Sequence, residues 1–376
     1  MDGRSKIPYL PGDIVNSIFL KLPVKSLSRF KSCCKSWHCC VDDADFIKSH
    51  LRNSSVDISR QKFVLIHFIP SLRRGPTHKF EIVSTEASIN VDSKVVYLNI
   101  PEFFINYIFL ELFSCSGLVF MTSYDPGYSM TLFNPALGKY KPIPNSLLSE
   151  KNKNRCSTTS PIFGFAYDFV AEDYKVICAH YLINEYFNVV EVYSIKNQCW
   201  RTIHNTFPAS HRFLDNNQVS LNGFIHRMSL NRAVISFHLV DEKFIVTPVP
   251  SKYGERPTLH ALGDGVCVFT TVGEENLIWS LEKDRWNCIN KFPTLDSLMG
   301  MSYWSLIGDV TPNTVGIFLF IKENGNILWR RYDGSFIEYD PRKNEYIEFR
   351  STQVPYFGRI KTLYVESLVS LKISWD

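Results

Sequence analysis

Residues 10–40 read LPGDIVNSIFLKLPVKSLSRFKSCCKSWHCC. Ile14, Ile18, Phe19 and Leu22 fall at i, i+4, i+5 and i+8, one face of a helix. Pro11 suits the first turn of that helix, and Asp13 favours the positive end of its dipole. Pro23 ends it. A second helix is expected with Ser26 as its N-cap, setting Leu27, Phe30, Cys34 and Trp37 along one side. A third is expected from Asp43, burying Phe46, Ile47 and Leu51.

Three helices in so short a stretch make a marginal core. If four large apolar side chains stay exposed, covering them contributes roughly 6–12 kcal/mol, offset in part by the entropy of association. The pattern fits a helical hook whose outer stripe awaits a partner, and equally a cap packed on its own domain. Cys33, Cys34, Cys39 and Cys40, with His38 between them, lack the paired spacing of a structural zinc site and are read as buried thiols.

The segment resembles an F-box of the plant type. The residues that carry the resemblance are Leu10-Pro11, Ile14, Ile18, Leu22-Pro23-Val24-Lys25-Ser26-Leu27, Arg29-Phe30, Lys35-Ser36-Trp37 and Asp45-Phe46. Cys34 stands where the family usually has Val, a departure that a small, burial-tolerant thiol accommodates. The resemblance implies docking on a Skp-type adaptor and, through it, on a cullin-RING scaffold. It implies adaptor contacts from Leu10, Pro11, Ile14, Ile18, Leu22, Pro23, Val24, Leu27 and Phe30, with Trp37 bracing the bundle internally.

From residue 62 the texture changes to short β-branched and aromatic runs such as KFVLIHFI, GLVFMT, NVVEVYSI and VGIFLFIK, bounded by Gly, Asn, Asp or Pro. No long amphipathic helices alternate with them, which argues against a parallel α/β fold. PEFFINYIFLEL, residues 101–112, reads as a helix or an outer strand. A faint repeat joins 132–144, 192–203, 237–250, 279–289 and 337–350: a strand, a polar turn, an aromatic (Tyr140, Trp200, Phe244, Trp286, Tyr346) and a return strand. The aromatics are 60, 44, 42 and 60 residues apart, the texture of propeller blades. They are read mainly as packing between blades. A β-sandwich is the competing architecture. The expected fold is therefore a small all-α unit of three helices, residues 8–52, followed by an all-β propeller-like domain, residues 60–376.

The second region resembles the plant F-box-associated, kelch-like domain. The matching residues are Cys115-Ser116-Gly117-Leu118, Asn134-Pro135, Phe163 to Asp168, Asp173-Tyr174-Lys175-Val176, Asn222-Gly223-Phe224-Ile225-His226, Phe237 with Glu242-Lys243-Phe244, and Tyr364 to Leu368. Arg227 stands where a Trp commonly follows, and is expected at the surface.

Catalytic motifs are sparse. The sequence has no G-x-S-x-G and no H-E-x-x-H. Gly263-Asp264-Gly265 begins like a dinucleotide fingerprint but reads as a hairpin turn. Residues Ser123 to Met130 resemble the Asp-box turn of sialidase-type propellers, with Met130 in place of Trp, and are taken as coincidence. The reading is a non-catalytic substrate adaptor without cofactor or metal, holding a target protein through propeller loops. Residues 145–160 and 205–219 are the candidates for those loops, and individual target-binding residues are not named. Alternatives are a pollen-type S-locus F-box protein recognising stylar ribonucleases, a propeller enzyme, or a cytoskeletal binder.

Composition sets the outer bounds. At 376 residues the chain exceeds a single ordinary core. A net charge of +4 does not suggest a nucleic-acid binder, and the Lys151, Lys153, Arg155 cluster reads as a solvated loop. No apolar run approaches a membrane span, and the first residues lack a signal-peptide core. The expected location is cytoplasm or nucleus, with the cysteines reduced and the Asn53-Ser54-Ser55 sequon silent.

Overall fold

Among the described residues the chain opens with four helices where three are expected: α1 (Gly12–Phe19), α2 (Val24–Phe30), α3 (Lys35–Asp42) and α4 (Ala44–Val56). The computed structural model describes residues 10–69, 79–86, 89–98, 110–123, 129–146, 161–181, 188–203, 207–208, 213–249, 257–282, 285–294, 317–322, 324–330, 335–354 and 358–371. The expected second helix is split in two. It begins earlier than Ser26, because Pro23 is already extended at φ −62°, ψ 149° and caps α2, a geometry that the proline ring pre-sets. It stops at Phe30, and Cys34, extended at φ −158°, ψ 160°, caps α3. Ser32, Cys33 and Cys34 are weak helix formers. The break turns Phe30 and Trp37 onto Phe19, with ring centroids 5.7 Å (Phe19–Phe30), 5.3 Å (Phe19–Trp37) and 5.5 Å (Phe30–Trp37) apart. Trp37 thus braces the bundle from within.

The same break overturns the reading of the cysteines. Cys33, Cys34 and Cys39 are exposed and Cys40 is partly covered, because Cys33 and Cys34 lie in the outward-facing break and α3 turns Val41 inward instead. Among the described residues no group of three His, Cys, Asp or Glu side chains is placed to hold a metal ion. Asp43 caps α4, its Oδ1 accepting from Phe46 N at 2.9 Å. Phe46 and Ile47 are buried as the pattern requires, and Leu51 is partly buried.

The strands follow as β1 (Gln61–Ile69), β2 (Lys79–Glu86), β3 (Val96–Tyr97), β4 (Leu110–Cys115), β5 (Leu118–Ser123), β6 (Ser129–Asn134), β7 (Lys139–Ile143), β8 (Ile162–Asp168), β9 (Asp173–Tyr181), β10 (Asn188–Ser194), β11 (Cys199–Ile203) and β12 (Phe213–Leu221). They continue as β13 (Phe224–Ser229), β14 (Ala233–His238), β15 (Lys243–Pro248), β16 (Thr258–Leu262), β17 (Gly265–Val272), β18 (Glu275–Glu282), β19 (Arg285–Pro293), β20 (Ile317–Ile321), β21 (Ile327–Arg330), β22 (Phe336–Asp340), β23 (Glu345–Phe349) and β24 (Gly358–Val365). They form six four-stranded antiparallel sheets, five of them consecutive meanders from β4 to β23. The remaining sheet has the order β24-β1-β2-β3. The first and last strands pair from Gln61↔Val365 to His67↔Gly358, which closes a six-bladed propeller.

The sequence repeat corresponds to the outer hairpin of the five meander blades. Tyr140, Trp200, Phe244, Trp286 and Tyr346 each take the second position of the fourth strand, facing Phe133, Tyr193, Phe237, Leu281 and Tyr339 across the ladder. Two of them also join blades: Trp200 Nε1 donates to Pro144 O at 2.7 Å and Trp286 Nε1 to Pro248 O at 2.9 Å. Gly263 and Asp264 form the turn between β16 and β17, with Gly263 at φ +57°.

Other expectations need correction. Residues 110–112 begin β4, a first strand packed against the first strands β24 and β8 of its neighbours, neither helix nor outer strand; residues 101–109 lie outside the described residues. From Phe213 the expected 205–219 loop is already strand β12. Residues 124–128 of the Asp-box-like turn, 147–160 of the other candidate loop and the Lys151 cluster also lie outside the described residues. Arg227 is 5 % exposed, not at the surface. Its Nη1 donates to Phe163 O at 2.7 Å, Nη2 lies 4.0 Å from Glu111 Oε1, and the guanidinium sits 5.4 Å from the Phe113 ring centroid. A flat cation that is paired and stacked is tolerated where a lone charge would not be.

One apolar core runs from the helices into the propeller. It joins Phe19, Val24, Leu27, Val41, Phe46 and Ile47 to blade residues including Leu118, Phe120, Phe165 and Tyr174.

Candidate functional site

α1 is largely exposed. Pro11 caps it, at φ −53° and ψ 145°, and loses nothing by lacking an N–H at a helix start. Asp13 lies in its first turn. Phe19 turns inward at 3 % exposure, with Val15 half-buried beside the core. Leu10, just before the cap, and Ile14 and Ile18, on the side of α1 adjacent to Phe19, are exposed by 54 %, 43 % and 44 %. Ile14 and Ile18, four residues apart, share one side of α1, and Leu10 extends the apolar stripe ahead of the cap. Scattered exposed apolar residues are ordinary; three large ones close together on a helix anchored through Phe19 are a candidate contact surface.

The structure divides the nine residues named from the sequence. Leu10, Pro11, Ile14, Ile18 and Pro23 are exposed; Leu22 and Phe30 are half-buried. Val24 and Leu27 are sealed within this chain, at 1 % and 0 % exposure. They hold α2 on its own core, and a partner reaches them only by parting α2 from it.

The turn between α1 and α2 is fixed from behind by residues that the sequence reading missed. His50 Nε2 donates to Leu22 O at 2.8 Å. Arg60 Nη1 donates to Leu20 O at 3.4 Å and Ser54 Oγ at 3.0 Å, and its Nη2 to Lys21 O. Burial holds the His50 imidazole below its ordinary pKa, so the ring is neutral at pH 7. The helical period offered a signal for His50: Phe46, Ile47, His50 and Ser54, all buried, recur at i, i+1, i+4 and i+8. Arg60 had no such signal, because its role depends on folding back over forty residues.

At Cys34, the Ser36 hydroxyl first and the Trp37 N–H second hold the exposed thiol below its usual pKa.

The helical unit meets the propeller at the rim that carries the first-to-second strand turns. Lys48 on α4 pairs with Glu172 in the β8–β9 turn at 2.6 Å, and Leu51 approaches Gly117 in the β4–β5 turn. In a meander, β7 and β11 then end, and β8 and β12 begin, at the opposite rim.

Family models match this arrangement from residue 7 to residue 292. An F-box domain matches residues 7–49, and an F-box associated beta propeller domain matches residues 50–292. A putative F-box/kelch-repeat protein of Arabidopsis thaliana is 26 % identical over 360 residues, covering 86 % of this chain and 83 % of its own. An F-box/kelch-repeat protein of the same plant is 26 % identical over 268 residues, covering 68 % and 69 %. A further Arabidopsis F-box protein is 24 % identical over 383 residues, covering 90 % and 86 %. With an exposed apolar helix on a four-helix unit, six blades behind it and both family models matched in order, the chain belongs to the family of F-box proteins that carry an F-box-associated β-propeller domain.

Proposed function

We propose that this chain is the substrate-recognition subunit of an SCF-type cullin-RING ubiquitin ligase. The F-box docks on a Skp-type adaptor, the adaptor links it to the cullin-RING scaffold, and the propeller holds a target protein for ubiquitination and degradation. The observation that carries the proposal is the exposure of three large apolar side chains, Leu10, Ile14 and Ile18, at the start of the helical unit, on a helix anchored to the core through Phe19. The mechanism is proximity: a tethered target meets the ligase at high effective concentration, and no side chain of this chain performs chemistry on it. The role is exercised in the cytoplasm, the nucleus or both.

Magnitudes shape the interface. Covering the exposed half of three such side chains contributes roughly 1 kcal/mol apiece. That is less than association costs, about 4–15 kcal/mol. The stripe is therefore the centre of a larger contact in which Pro11, Pro23, Leu22 and Phe30 take part. The target is held at the rim away from the F-box, where the sheet-to-sheet connections, including the 145–160 candidate, start and finish. Loops on a rigid scaffold vary without disturbing the core.

The test is capture of a purified Skp-type adaptor by the full chain. Ile14→Asp with Ile18→Asp should lower capture at least about hundredfold while circular dichroism stays unchanged. Val56→Asp, on an exposed part of α4, should bind as the parent does. Parental capture by the double variant would refute the docking surface.

A further inference from the structure

The segment after β24 touches both halves of the molecule. β24 ends at Val365, paired with Gln61. Beyond it Ser367, Leu368, Val369 and Leu371 are all buried. Ser367 Oγ donates to Gly117 O at 2.9 Å. Asn134 Nδ2 donates to Ser367 O at 3.1 Å and to Val369 O at 2.8 Å. Gly117 has φ +79°, and a Cβ there would lie 2.3 Å from Ser367 Cβ and 3.2 Å from Leu51 Cδ1. The second blade therefore gives up a side chain so that the segment fits. Leu368, Val369 and Leu371 lie in the same apolar cluster as Phe46 and Ile47 of α4, with Leu51 packed against it.

We infer that residues 366–371 are a strap that makes closure of the propeller and seating of the F-box one event. β24 completes the first blade only by pairing with β1, and the residues that continue it reach Gly117 and Asn134 only from that paired position. While the ring is open the strap has no anchor, and α4 loses the part of its apolar surroundings that Leu368, Val369 and Leu371 supply. The ion pair between α4 and the blades, Lys48 to Glu172, is exposed at both ends, so solvent and salt weaken it. The helical unit is thus fully seated only on a chain whose far end has folded. This inference concerns the coupling of two parts of one chain, and it stands whether or not the ligase reading does.

Hydrogen–deuterium exchange on the full chain tests it. A chain ending at Glu366 should exchange the amides of α4 at least about tenfold faster than the parent, while β14, β17 and β18 keep their protection. Asn134→Ala should do the same to a smaller extent. A chain ending at Leu371 should match the parent. Parental protection of α4 in both the Glu366-terminated chain and Asn134→Ala would overturn the inference. So would an equal loss of protection in α4 and in blades four and five of Asn134→Ala, which marks general destabilisation. If the shortened chain does not fold at all, Asn134→Ala decides between these outcomes.

Discussion

At the scale of single residues, charge type is a poor guide to place. Arg227 reads as surface from its chemistry, yet it is among the most buried cations of the described propeller. Glu111 and the Phe113 ring of the second blade and the Phe163 carbonyl of the third converge on it, and no local window contains those partners. His226 shows a second consequence of burial. It hydrogen-bonds to Ser236 Oγ at 2.7 Å and stacks near Phe224, and burial lowers its pKa to about 4. Between that value and about 6.5 the unfolded chain takes up a proton that the folded chain refuses. The contribution is fully present above about pH 6.5 and is lost as pH falls towards 4, up to about 3 kcal/mol for this one ring. His50 shifts in the same direction, chiefly through burial. Urea midpoints should therefore fall between pH 7 and pH 4.5, and His226→Gln should flatten part of that slope. An identical slope in parent and variant would remove His226 as its source.

At the scale of elements, local signals were legible where the chain satisfies itself locally. Asp43 was expected to start a helix and does, because its carboxylate accepts the Phe46 N–H within the same turn. Asp43→Ala should lower stability by about 1 kcal/mol, read as a shift of the urea midpoint; no shift would mean that packing of Phe46 alone sets the helix start. The hairpins that form the outer halves of five blades were legible for a similar reason, since each needs only an alternating strand, a turn and a cross-strand aromatic. The split between α2 and α3 was not legible. Spacing alone permits one continuous helix through Phe30 and Trp37; the weak helix formers between them allow a break, and packing of both rings on Phe19 goes with it.

At the scale of the whole molecule, the F-box is not a bead on a tether. Its inward residues and those of the second and third blades share one core, so the two parts should unfold together. The helical signal at 222 nm and the near-ultraviolet aromatic signal should follow a single thermal transition. Two separated transitions would show that the helices melt independently of the blades. A shared core also gives the exposed stripe of α1 a set position relative to the far rim of the propeller, the geometry that a proximity mechanism needs.

The amino-acid order alone specified the short-range grammar of this chain: a helical unit with an apolar stripe, a run of hairpins with an aromatic on the return strand, and the change from a 3.6-residue to a 2-residue period near residue 60. Those features depend on neighbours a few positions apart, so a linear reading recovers them. Tertiary structure decided the sixth blade, the pairing of Gln61 with Val365, the burial of Arg227, the sealing of Val24 and Leu27, and the insertion of Ser367 against Gly117. Each of these joins groups tens to hundreds of residues apart. Their stabilisation exists only after the ring has closed and the entropy of bringing those groups together has been overcome.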